Sequence, residues 1–128
     1  MTSSPRTLLA TAGLVGLVGV TLGALGAHAL RDTLAEHGSL DTWHTAVLYQ
    51  LVHALALLAL AGGRFGTSRG SAAVAWAWTA GVVFFSGSLY GLALGGPRWL
   101  GPVTPLGGLC FLAGWVLLIV VAWRESGA

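Results

Sequence analysis

The sequence predicts an all-α integral membrane protein: a four-helix bundle with both termini on the same side, forming a single membrane domain over residues 1–128. Three observations carry that reading. The chain is 55% hydrophobic and 8% charged, whereas a soluble domain is about a quarter charged, so it has too little charge to cover a surface facing water. Its apolar residues fall into four runs, about 8–30, 43–61, 72–94 and 105–123. Each is close to the roughly 20 residues a helix needs to cross a hydrocarbon core about 30 Å thick. The breaks between the runs hold the glycine, proline and charge that end helices and meet water.

The polar start, 1–6, ends at Arg6, and Leu8 to Leu30 then runs without a charge. A cleaved secretory signal is the competing reading, with Arg6 as its basic end and Ala27-His28-Ala29 as a cleavage site. The apolar part is longer than the roughly 7–15 residues of such a signal, so a retained helix is expected. Residues 31–42 carry Arg31, Asp32, Glu36 and Asp41, with Leu34 and Leu40 suggesting a short surface helix broken at Gly38. Asp41 or Thr42 is then the expected N-cap of the second apolar helix, because either side chain can accept from the free N–H groups of a first turn. A Gly/Ser turn at 62–71 carries Arg64 and Arg69 and leads into the third. The break at 95–103 leads to the fourth, with Thr104 as expected cap and Pro105 at the first helical position, where its missing N–H costs nothing.

Four crossings leave both termini on one side. Arg6, Arg64, Arg69 and Arg124 share that side, and Arg31 and Arg98 share the other. The excess favours cytoplasmic termini by the positive-inside rule. Interfacial belts of tryptophan fit the same spans, with Trp43 and Trp99 at the outer boundary and Trp76, Trp78 and Trp123 at the inner one. Trp115 falls near mid-membrane. A net charge of +2, with no lysine and no arginine cluster, gives no reason to expect a nucleic-acid partner. The single cysteine, Cys110, excludes an intrachain disulfide and argues against a cysteine-based metal site.

Because lipid tails are as apolar as leucine, helices in a bilayer associate through close packing at small residues. Gly16, Gly19 and Gly23, with Ala12 and Gly26, form one stripe on the first helix. Gly81 and Ser88 line the third, and Gly107 and Gly114 the fourth. Packing within the chain is the expected use of these stripes; a homo-oligomer or a membrane-protein partner remains open as the use of one of them.

The second helix carries polar groups at depth. At 100° per residue Thr45, Tyr49, Gln50 and His53 fall within an arc of roughly 140°, with His44 opposite. On the third helix Thr79, Ser86 and Tyr90 share a face. Unpaired polar groups cost several kcal/mol in hydrocarbon, so these two faces are expected to meet. One reading makes them a hydrogen-bonded latch. The other makes His53 a proton-accepting or ligand-binding group steadied by Gln50 and Tyr49, since an ionisable residue inside a membrane is a site by default.

A metal site needs ligands at one depth. His28 and His44 lie near the outer surface and can pair, but His53 is about 13 Å deeper than His44. With no metal-binding motif in the chain, no metal and no cofactor are expected. Ser86-Gly-Ser88 lacks the context of a hydrolase nucleophile, and no acid lies inside a helix to orient a histidine, so no catalytic residue is assigned.

Four motifs occur in one order: Gly26-Ala-His-Ala-Leu30, Trp43-His-Thr-Ala-Val-Leu-Tyr-Gln50 with His53-Ala-Leu55, Phe85-Ser-Gly-Ser-Leu-Tyr90, and Gly101-Pro-Val-Thr-Pro-Leu-Gly-Gly108. In these the chain resembles the YgdD-like family of small membrane proteins, a family of unknown function with bacterial inner-membrane members and animal relatives. The resemblance covers nearly the whole chain. It implies a four-helix protein of the plasma membrane, the inner membrane in bacteria, and brings no activity to carry over. Three functions follow in order of preference: a non-enzymatic accessory or interaction subunit, a small oligomeric carrier or pore lined by the His53 seam, and a membrane redox or enzyme subunit.

Overall fold

The structure, a computed structural model, describes residues 3–127. Its regular structure is helical throughout: α1 Pro5–Ala27, α2 Arg31–Glu36, α3 Leu40–Gly62, α4 Ser71–Gly81, α5 Gly87–Ala93 and α6 Val103–Ser126. A π-helical turn, Val82–Ser86, joins α4 to α5, so Ser71–Ala93 forms one rod. Short 3₁₀ turns lie at Arg64–Thr67 and Arg98–Leu100. α1, α3, the α4–α5 rod and the stretch Arg98–Ser126 containing α6 are each long and apolar enough to cross a membrane.

The helix ends differ from expectation by a few residues, and each difference has a local cause. α1 starts at Pro5 because the Ser4 hydroxyl accepts from the Thr7 N–H at 3.1 Å, and proline suits a first position. It stops at Ala27 rather than Leu30, as the chain turns through His28 into α2. α2 is the short surface helix, and Gly38 ends it at φ +63°, a conformation side chains resist. Neither Asp41 nor Thr42 caps α3: it begins at Leu40, so both lie inside its first turn, where Asp41 faces the positive helix end. Nor is Thr104 the cap of α6. The helix begins at Val103, and Pro105 is still accommodated because first-turn N–H groups lack helical partners. The Thr104 hydroxyl instead meets the Ser88 hydroxyl at 2.6 Å.

Two close helix pairs organise the bundle. α1 lies along α3, and α6 lies along α4 and the π turn. The glycine stripe of α1 faces α3 throughout: a Cβ at Gly16 would touch Ala54, one at Gly19 would meet Leu51 and Gln50, and one at Gly23 would meet Val47. At Gly26 it would collide with the indole of Trp43. In the second pair Gly81 receives Phe111, Gly114 receives Trp78, and Gly107 sits against the backbone of Phe85. α3 joins the pairs through the π turn and α5. The start of α1 borders the start of α4, where Thr7 and Thr11 face Thr79 across a crevice. Val121 near the end of α6 packs on Gly70. Both described ends of the chain therefore reach the same end of the bundle.

Large apolar side chains such as Leu14, Leu17, Leu55 and Val116 point outward, as they do where the solvent is lipid. Trp76, Trp99 and Trp123 are exposed and suit interfacial belts. Trp43 and Trp78 do not join them. Both are buried, one against α1 and the other against α6, because each has a glycine opposite that opens room for an indole.

Candidate functional site

The polar groups at depth form two separate networks, both starting on α3. The first is centred on Gln50, which is 2% exposed. Its amide nitrogen donates to the Val15 carbonyl of α1 at 3.0 Å, and its amide oxygen accepts from the Tyr90 hydroxyl of α5 at 2.7 Å. Val15 offers only an acceptor there, which fixes the orientation of the amide. Gly19 makes the reach possible, since a Cβ there would lie 3.3 Å from Gln50 Cγ. One side chain thus ties three helices. Close by, Trp43 donates its indole N–H to the Leu22 carbonyl at 2.9 Å and packs edge-on against Tyr90, 4.7 Å between centroids. Ser86, fully buried, donates to the Ala46 carbonyl at 2.7 Å and joins the rod to α3. Ser39 does the same at the end of the bundle nearer α2, donating to Ala93 at 2.6 Å.

The second network is aromatic and centred on His53, 3% exposed. Its ring stacks on Phe111 of α6 at 3.7 Å, with planes 11° apart, and meets Trp78 and Trp115 edge-on. Nδ1 lies 2.7 Å from the Tyr49 carbonyl and Nε2 lies 3.2 Å from the Trp115 indole nitrogen. A carbonyl can only accept and an indole N–H can only donate. The pair therefore selects the neutral tautomer protonated at Nδ1, and it commits both ring nitrogens. The Trp78 indole N–H is buried beside Gly114 without a hydrogen-bond partner among the described residues.

The seam expected from helical phase is thus divided. Gln50 and Tyr90 meet, and Ser86 reaches α3 through backbone. His53 is hydrogen-bonded by α6, and the α4–α5 rod meets it only edge-on through the Trp78 ring. Thr45 is exposed and takes part in neither network. Tyr49 is 42% exposed; its carbonyl serves His53 while its ring rests on Phe85, 4.7 Å away. Thr79 does not share the face of Ser86 and Tyr90 but borders α1. The cause is the π turn, whose extra residue rotates everything after it relative to α4. Ser88, expected in the small-residue stripe, faces α6 through Thr104. His28 and His44 are both exposed, with no hydrogen bond between them, and no group of three or more potential metal ligands gathers among the described residues.

Helical phase on α3 does not reveal Trp115 as the partner of His53. The signal was depth: Trp115 stands twelve residues after Val103 and His53 thirteen after Leu40, on helices that start at the same end.

The family described as "Protein of unknown function (DUF423)" matches residues 22–108, which include Gln50, Tyr90 and His53 but not Val15. The chain belongs to this family. It is 40% identical over 111 residues to the UPF0382 membrane protein SAB0533 of Staphylococcus aureus, covering 87% of this chain and 90% of the relative. It is 39% identical over 108 residues to the UPF0382 membrane protein YwdK of Bacillus subtilis, covering 83% and 87%. A relative in Schizosaccharomyces pombe, the UPF0382 membrane protein C1782.12c, is 38% identical over 125 residues, covering 89% and 99%. No solved structure matches. The expected membrane family of unknown function is therefore found, under the DUF423 and UPF0382 names.

Proposed function

We propose that this protein is a non-enzymatic accessory subunit of the plasma membrane, acting by contact with another membrane protein or a second copy of itself. The observation behind this is the closure of the deep polar groups. Gln50, Ser86 and both nitrogens of His53 are met by groups of the same chain. Each of the three side chains is at most 3% exposed. A carrier needs polar groups that open to water in turn, and a redox or hydrolytic site needs one that reaches its substrate. Here those valences are spent within the chain, those of Gln50, Ser86 and His53 Nε2 on bonds between helices, which leaves the outer faces as the working surface. The arginine excess supports cytoplasmic termini, and the four ordered motifs support the YgdD-like label within the same family.

The test is purification of the full chain from its own membranes in mild detergent, with a flux assay alongside. A membrane-protein partner at fixed stoichiometry, or a stable homo-oligomer, is the expected result. A chain that purifies alone as a monomer and, once reconstituted, moves protons or solutes down an imposed gradient would overturn the proposal in favour of the carrier.

A further inference from the structure

Below the His53 cluster, towards the arginine-rich end, a cleft opens between α3 and α6. Their backbones stay apart along their length, and the rings of His53, Phe111 and Trp115 bridge the gap at mid-depth. Further down, α3 offers two alanines and a leucine instead of rings. The result is a cleft of about 190 Å³ between Ala56, Ala59 and Leu60 on one wall and Trp115 and Leu118 on the other, with Trp78 also lining it. It follows α3 from Ala56 to Gly63, about 10 Å by helical rise, and Phe65 lines its far end. The guanidinium of Arg64 lies over that same Phe65 ring, 5.6 Å from its centroid.

We propose that this cleft holds one acyl chain of an anionic membrane phospholipid, with Arg64 on its phosphate. The occupant follows from the geometry and charge. An apolar slot in a protein that spans lipid is offered hydrocarbon chains. A partner helix, about 10 Å across, would fill several times the 190 Å³ that this one offers over its length. The charge at the mouth selects the headgroup. Three of the four acids lie in residues 31–42, at the other end of the bundle. The fourth, Glu125, lines a different crevice with Arg69 and Arg124. Arg64 therefore stands at headgroup level with no acid lining the cleft beside it, and an anionic phosphate complements it. Arg69 and Arg124 share its end of the bundle but line that other crevice, which makes them controls for charge without the slot.

The test is native mass spectrometry of the full chain in detergent, titrated with equal amounts of dioleoyl-phosphatidylglycerol and dioleoyl-phosphatidylcholine. One phosphatidylglycerol retained per chain in preference to phosphatidylcholine is expected. Arg64→Gln should reduce the preference about fivefold, the weight of one basic residue at an anionic surface, and Arg69→Gln should leave it unchanged. Ala59→Phe should abolish retention of both lipids by filling the slot. Should that variant fail to fold, Ala56→Leu fills the same slot with less bulk, and a melting curve establishes its integrity. Equal retention of the two lipids by the parent chain overturns the proposal. So does an Arg69→Gln effect as large as that of Arg64→Gln, or a folded slot-filled variant that keeps its lipid.

Discussion

Two contacts of α3 are built in opposite ways. Towards α1 it meets a stripe of glycines, and the backbones come close enough for Gln50 to reach a carbonyl on the other helix. Towards α6 the backbones stay apart and the rings of His53, Phe111 and Trp115 fill the space. Both solve one problem: helices in lipid gain nothing from hydrophobicity and must gain from contact. The glycine solution is rigid, because a backbone cannot move aside. The aromatic solution is adjustable, because rings can tilt and a ring near the surface can turn outward. The same glycine solution recurs between α6 and the α4–α5 rod, where Gly107 sits against the Phe85 backbone.

The difference predicts unequal sensitivity to mutation. The largest effect belongs to Gly107→Ala. Its new methyl would overlap the backbone of Phe85, which has nowhere to go, so about 3 kcal/mol of destabilisation is expected, at the upper end of ordinary overpacking. Unfolding by titration with a denaturing detergent measures it, and a loss under 1 kcal/mol would show that the glycine contacts are as adjustable as the aromatic one. His53→Leu comes next. It removes two hydrogen bonds and a stacked ring, yet Trp115, 40% exposed, can turn its freed N–H away, so about 1 kcal/mol is expected with insertion unchanged. A cost equal to that of Gly107→Ala would erase the distinction. The smallest effect, with the opposite sign, is Gly13→Ala. Nothing lies within 4 Å of a Cβ there, so the variant should gain up to about 1 kcal/mol from helix propensity. A loss at Gly13 would mean that an unseen neighbour covers this face of α1, which bears directly on the oligomer proposed above.

Much of this arrangement was readable in the sequence, and the rest was not for definite reasons. Span length and the glycine stripe of α1 are local properties of a regular helix, so the pattern at Gly16, Gly19 and Gly23 points to the side that α3 occupies. Gln50 and Tyr90 were readable as partners because both lie on the regular parts of their helices. Thr79 was misplaced because a π turn adds a residue that no periodicity rule anticipates. Position alone puts Trp43 and Trp78 at interfaces, because indole is at home both at a membrane boundary and in a core; the deciding factor is a glycine on another helix. The choice of Trp115 over Ser86 as the partner of His53 likewise depends on which helix lies across from α3, information carried by no single segment.

The π turn has a consequence for what one rod can do. A helix of uniform pitch keeps one heading along its length, so a stripe that meets one neighbour at the bottom meets the same neighbour at the top. The extra residue at Val82–Ser86 acts as a slipped tooth between two gears. Before the slip, Trp78 and Gly81 mesh with α6; after it, Ser86 and Tyr90 mesh with α3 while Ser88 still holds α6 through Thr104. A single rod thereby serves as the hub for both halves of the molecule, and four helices close into one body without a fifth to bridge them.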